Sequence, residues 1–109
     1  SLLALQRWPE AITTYERYLT LNPGNTAARF NLGLALFEVD RFADSAAAFQ
    51  AVLAQDPSNV GAYVNLANAV GSMGRYGDAV RALQRAAELE RDPAAREAIL
   101  ASVRLILGH

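Results

Sequence analysis

Residues 26 to 38 carry Phe30, Leu32, Leu34, Leu36 and Phe37 among Ala27, Ala28 and Ala35, with no proline to interrupt them. Residues 42 to 55 carry Ala46, Phe49, Val52 and Leu53 as an apolar stripe at three- and four-residue spacing. Both patterns predict α-helices. Only Val39 to Arg41 separates them, and so short a link folds the pair into an antiparallel hairpin.

The pattern returns after 34 residues. NPGN at 22–25 falls on DPSN at 56–59, RFNLGLA at 29–35 on YVNLANA at 63–69, and FADSAAAFQ at 42–50 on YGDAVRALQ at 76–84. A unit of this size is too small to fold alone and buries its apolar face by stacking on a neighbour. The expected fold is all-α, a solenoid of antiparallel helix pairs in a single domain, 1–109. Residues 1–25 form a partial first repeat, 26–59 the second, 60–93 the third and 94–109 a C-terminal helix.

The punctuation between the helices supports this division. Pro23 and Pro57 stop the second helices, and Asn25 and Asn59 are placed to cap the next first helices. RWPEA at 7–11, RFADS at 41–45 and RYGDA at 75–79 each mark the start of a second helix. Pro9 suits a first turn, where its missing N–H costs nothing. Glu10, Asp44 and Asp78 suit the same turn, where a negative charge meets unpaired amides. Trp8, Phe42 and Tyr76 are expected to plug the bottom of each hairpin, with the arginines at its solvated edge. Asp40, beside the turn, is read as a capping residue. Gly33, with Ala67 as its counterpart, predicts a close helix crossing that a bulky side chain would prevent.

The ends are less regular. SLLAL reads as the close of a first helix. The last helix opens on Asp92 as cap and Pro93 in its first turn, and carries Ile99, Leu100, Val103, Ile106 and Leu107 along one side. Pro93 follows Pro57 by 36 residues, so the period is expected to break by two. This helix closes the stack or begins a further unit.

Composition narrows the chemistry. Ten basic residues, all arginine, are interleaved with 11 acids for a net charge of −1, so there is no basic block for nucleic acid or an anionic membrane. The absence of lysine is read as a mark of GC-rich codons. There is no cysteine, hence no disulfide scaffold and no thiolate chemistry. No signal-like start and no apolar run of membrane-spanning length are present, which favours a soluble protein, cytoplasmic ahead of periplasmic. The one histidine is the last residue, and carboxylates do not recur at ligand spacing on a shared face. GSMGRYG at 71–77 has three glycines but lies in a repeat turn and lacks the lysine of a phosphate loop. No base, nucleophile and orienting group can be assembled. No catalysis, cofactor or metal is expected.

The repeat resembles that of the tetratricopeptide family. The resemblance rests on Asn31-Leu32-Gly33, Ala35, Phe42, Phe49 and Pro57 in the middle unit, and on Tyr63, Leu66-Ala67, Ala69, Tyr76, Ala79, Leu83 and Ala86 in the next. Trp8, Ala11, Tyr15 and Pro23 carry it in the first. Ser45 and Val52 replace the usual alanines, and Arg91 stands where a proline would close the third unit. The resemblance implies a right-handed superhelix whose first helices line a concave side, with proteins or extended peptides as partners.

On that frame Leu32 and Leu66 point into the stack, and Asn31 and Asn65, one period apart, face the groove. An asparagine amide donates and accepts at once, so a row of them suits the backbone of an extended peptide. The candidate groove comprises Asn31, Asn65, Asn68, Phe30, Leu34, Phe37, Val64 and Arg29. Alternatives stand beside it. A helix-borne asparagine can instead bond the preceding turn, Arg29 can be a solvated edge residue, and Phe30 and Phe37 matter for binding only if exposed. No lysine–arginine clamp for a carboxyl terminus is found. Self-association through the terminal helices, or service as an accessory domain of a larger enzyme, is the alternative to peptide binding.

Overall fold

The computed structural model describes residues 2–108, with side chains from Trp8 onward. Its helices are α1 (Leu2–Leu21), α2 (Thr26–Glu38), α3 (Phe42–Gln55), α4 (Val60–Ser72), α5 (Tyr76–Leu89) and α6 (Pro93–Ile106). Each packs on the next in sequence, and α2 also touches α4. The stack measures 39 × 29 × 23 Å. α2–α3 and α4–α5 are the two hairpins the spacing predicts.

The same local devices build both hairpins. Asn25 Oδ1 accepts from the Ala28 N–H at 2.9 Å and Asn59 Oδ1 from the Ala62 N–H at 3.0 Å, so each first helix is capped by its own preceding residue. The first helices end in paired reverse bonds. Arg41 N–H donates to the Leu36 carbonyl and Asp40 N–H to that of Phe37; Arg75 N–H donates to Val70 and Gly74 N–H to Gly71. This is the Schellman arrangement, and its penultimate residue takes a left-handed backbone. Asp40 has φ 63° and Gly74 has φ 81°. Asp40 is thus the residue that turns the chain after α2, a correction to its reading as a cap. Asp44 and Asp78 do lie in first turns, paired with Arg41 at 3.0 Å and Arg75 at 2.7 Å.

The inner faces meet in three linked clusters. One joins Ala46, Ala67, Ala69, Val70, Ala79, Ala82, Leu83 and Val103; a second joins Ile12, Ala35, Leu36 and Ala48; a third joins Phe49, Val52 and Ala62. Leu32 and Leu66 pack against these clusters, as the repeat predicts. Gly33 marks a close crossing of α2 and α3. A Cβ there would lie 2.7 Å from Phe49 Cζ, far inside contact distance. Beside it the buried Ser45 hydroxyl donates to the Gly33 carbonyl at 2.7 Å, tying α3 to α2 where the family usually has alanine.

Three expectations are overturned. Pro9 and Glu10 do not begin a helix, because α1 runs unbroken from Leu2 to Leu21 with Pro9 inside it. The residue one period before Asp40 is Gln6, which lacks the tolerance for a left-handed backbone that Gly, Asn and Asp have. Tyr76 does not plug its hairpin: it is 59% exposed. Phe42 packs edge-to-face on Phe37, centroids 5.2 Å apart, but one period on the place of Phe37 is taken by Gly71, so Tyr76 has no ring to meet. Finally, the last period shortens rather than lengthens. Asn59 caps α4 and Asp92 caps α6 through the Ala94 N–H, a spacing of 92 − 59 = 33. Pro57 lies before its cap and Pro93 after, so the two prolines are not equivalent. Along α6, Ile99, Val103 and Ile106 face the core, whereas Leu107 is 60% exposed.

A candidate peptide groove on the first helices

Exposure on the first helices follows the helical period. Ala27, Asn31, Leu34 and Glu38 are exposed along α2. Gly61, Asn65, Asn68 and Ser72 hold the matching positions on α4, with Asn68 and Ser72 exposed and Gly61 and Asn65 half-buried. Spacings of three and four place each set on one helical face. α2 and α4 touch, and each of these faces lies on the side of its helix away from Leu32 or Leu66.

The two asparagines differ. Asn31 is exposed and lines a recess of ≈ 490 Å³ with Thr26, Ala27, Phe30, Asp56 and Asn59. Asn65 is half-buried, and its Nδ2 donates to the Gly61 carbonyl at 2.9 Å. That is the bond to the preceding turn that the sequence leaves open, and it orients the Asn65 amide while sparing its oxygen. Asn68 is exposed one turn further on.

The apolar candidates divide likewise. Leu34 is 37% exposed and stands on the open face. Phe30 is half-buried, edge-to-face on Phe49 with centroids 5.3 Å apart, and only part of its ring reaches the recess. Phe37 and Val64 are half-buried against the cluster around Ala67. None of the three is a free patch. Arg29 donates from Nε at 3.2 Å and Nη2 at 3.0 Å to the Pro23 carbonyl, so its guanidinium staples the turn before α2. Arg96 does the same to the Glu90 carbonyl before α6.

The exposed faces of α2 and α4 carry no basic side chain; Glu38 ends α2, and Asp56, the C-cap of α3, lines the recess beside Thr26 and Ala27. A second recess, of ≈ 320 Å³, opens on the other side of α4, where Asp78 pairs with Arg75 and with Arg81 at 2.8 Å beside Tyr63 and Gln50. Sequence reasoning missed it. Its signal was an Arg-x-x-Asp-x-x-Arg spacing that puts all three on one side of α5. Among the described residues no three His, Asp or Glu side chains are grouped to hold a metal ion, and no helix is long and apolar enough to cross a membrane.

Capped helical hairpins, stacked with their first helices side by side, define a helical-repeat solenoid. The sequence models for the tetratricopeptide repeat match residues 1–60 and 36–103, and the chain belongs to that family. A search of curated protein sequences finds no match. Solved structures share the architecture. The first tetratricopeptide domain of Spaghetti (RPAP3), bound to the HSP90 peptide SRMEEVD, is 21% identical with a TM-score of 0.83, over 98% of this chain and 85% of that one. The Arabidopsis OM64 domain is 24% identical with a TM-score of 0.80, over 91% and 82%. MamA from Desulfovibrio magneticus RS-1 is 20% identical with a TM-score of 0.75, over 96% and 69%. At these identities the likeness is one of fold.

Proposed function

We propose that this chain is a non-catalytic scaffold that binds an extended segment of another protein across the open faces of α2 and α4. The observation that carries this reading is Asn31: an exposed amide on a first helix, beside a recess, with Asn65 and Asn68 continuing the row on the next. Such amides pair with a peptide backbone whatever its side chains, while Leu34 and the edge of Phe30 supply apolar contact. The Spaghetti domain of the same fold holds the peptide SRMEEVD, three of whose last four residues are acidic. The ligand here is of another kind, because the surface offers no cation to a carboxylate and already carries Glu38 and Asp56. Neutral or basic segments suit it.

The test is to select heptapeptides from a random phage library against the chain, then titrate the best against the Asn31→Ala variant. A buried hydrogen bond lost on a bound ligand costs about 1–3 kcal/mol, so binding should weaken by about 5- to 150-fold. Because Asn31 is exposed, the melting transition should stay put. Undiminished binding would refute the assignment. A second reading, self-association, is favoured by Leu105 and Leu107, 72% and 60% exposed at the end of α6. Light scattering that shows a monomer at all concentrations would dismiss it.

A further inference from the structure

Tyr63, Leu66 and Val70, at spacings of three and four, form the face of α4 turned away from Asn65 and Asn68. With Ala82 they line the ≈ 320 Å³ recess between α3 and α5. Val70 and Ala82 are buried and Leu66 is half-buried, so the floor is apolar. The rim is polar: Gln50 comes from α3, and Arg75, Asp78 and Arg81 from the start of α5. None of these residues belongs to the proposed groove.

The rim is also unbalanced in charge. Nη2 of Arg75 lies 2.7 Å from Asp78 Oδ2, and Nη2 of Arg81 lies 2.8 Å from Oδ1. Two positive charges therefore face one negative. A guanidinium has five N–H donors, and among the described residues neither of these has a partner besides Asp78. Their side chains are 62% and 79% exposed, which leaves the other donors open to a ligand. Asp78 braces both, one oxygen each, so the pair is arranged before a ligand arrives. The preceding unit has no such arrangement. One period before Arg81 stands Ala47, and one period before Gln50 stands Glu16. Arg41 pairs with Asp44 at 3.0 Å, and the ≈ 350 Å³ recess that Arg41 lines also holds Glu16. The excess charge is a property of the third unit, not of the repeat.

We infer that this recess docks an acidic segment of another protein, which seats an aliphatic side chain on Leu66, Val70 and Ala82 and sets a neighbouring carboxylate on Arg75 and Arg81. Complementarity argues for this occupant. Carboxylate and guanidinium match in charge and in planar shape, while an apolar floor adds nothing to the hold on a bare inorganic anion. So open a recess encloses little of a free small molecule, whereas a side chain carried on a longer segment gains contacts to either side. The two sides of α4 thus suit segments of opposite character, neutral or basic in the groove and acidic in the recess. The inference stands without the groove.

The experiment titrates the labelled full chain with a pool of heptapeptides, both ends blocked, each with a central leucine flanked by Asp or Glu. A control pool carries Asn or Gln in place of the acids. NMR should show saturable shifts at Gln50, Tyr63 and Arg81, with Asn31 and Asn68 unmoved, and binding that weakens as salt is raised. The control pool should bind about tenfold more weakly or worse. Arg81→Ala, which copies Ala47, should weaken binding of the acidic pool by about tenfold or more, with an unchanged melt to show that the chain remains folded. Arg41→Ala should leave that binding as it was. Absence of shifts at the recess, equal binding of the two pools, or indifference to Arg81→Ala would each overturn the inference. So would equal shifts from sodium acetate or phosphate alone, which would mark a bare anion site, or a sedimenting dimer that protects Arg81, which would make a second copy the occupant. Asn31→Ala should not alter this titration, so the recess and the groove of α2 and α4 stand or fall separately.

Discussion

Gly33 and Phe49 form a pair whose coupling can be worked out from their geometry. A methyl at Gly33 would meet Phe49 Cζ at 2.7 Å and both Cε atoms at 2.9 Å. Optimal carbon contacts lie at about 3.5–4.0 Å, so the ring must give by most of an ångström. It has nowhere to go, being wholly buried and wedged edge-to-face against Phe30. Gly33→Ala therefore incurs an overpacking cost of about 1–3 kcal/mol, offset by about 1 kcal/mol of helix propensity. The net change expected is a loss of about 0–2 kcal/mol. The third unit solves the same crossing differently, with Ala67 and Leu83, both buried. Copying that solution predicts a reversal: in the Phe49→Leu background the clash is gone and Gly33→Ala becomes stabilising by up to about 1 kcal/mol. The coupling free energy should reach about 1–3 kcal/mol, measurable in urea titrations of the four proteins of the cycle. Were Gly33→Ala to stabilise both backgrounds equally, α2 and α3 would not approach as closely as described, and the crossing would lose its explanation.

Two further changes test the hairpin turns. Asp40→Gly relieves a left-handed backbone at a non-glycine residue and copies Gly74; urea midpoints should rise by about 0.5–1 kcal/mol equivalent, after the entropic cost of glycine. Phe42→Ala should cost about 2 kcal/mol by emptying the space against Phe37, while Tyr76→Ala, at the same place one unit later, should stay within about 0.5 kcal/mol in the same melts. Equal losses at Phe42 and Tyr76 would contradict the role given to Gly71.

Most of the fold was legible because the repeat supplies its own control. Asn25 and Asn59, and Leu32 and Leu66, each appear twice at one spacing, and each pair does the same work both times. Legibility failed where a position depends on a partner in another element. Tyr76 has the sequence context of Phe42, yet its exposure is set by Gly71. RWPEA has the sequence context of a helix start, yet the turn that would begin it depends on the backbone tolerance of Gln6. The two prolines near Asn59 and Asp92 misled because identity was compared without regard to their place relative to the cap. For the groove, periodicity gave the face on which Asn31, Leu34 and Asn68 lie. It could not give the fate of each side chain. The bond from Asn65 to Gly61, the hold of Arg29 on Pro23 and the edge-to-face seats of Phe30 and Phe37 all arise from short-range geometry that a one-dimensional pattern does not record.

The central claim is that ligand crosses the open faces of the first helices. Its most direct test is NMR shift mapping of the selected heptapeptide on the labelled chain. The account predicts that the largest changes fall on Asn31, Leu34, Asn65 and Asn68. Changes confined to Tyr63, Arg75 and Arg81, on the far side of α4, would contradict it.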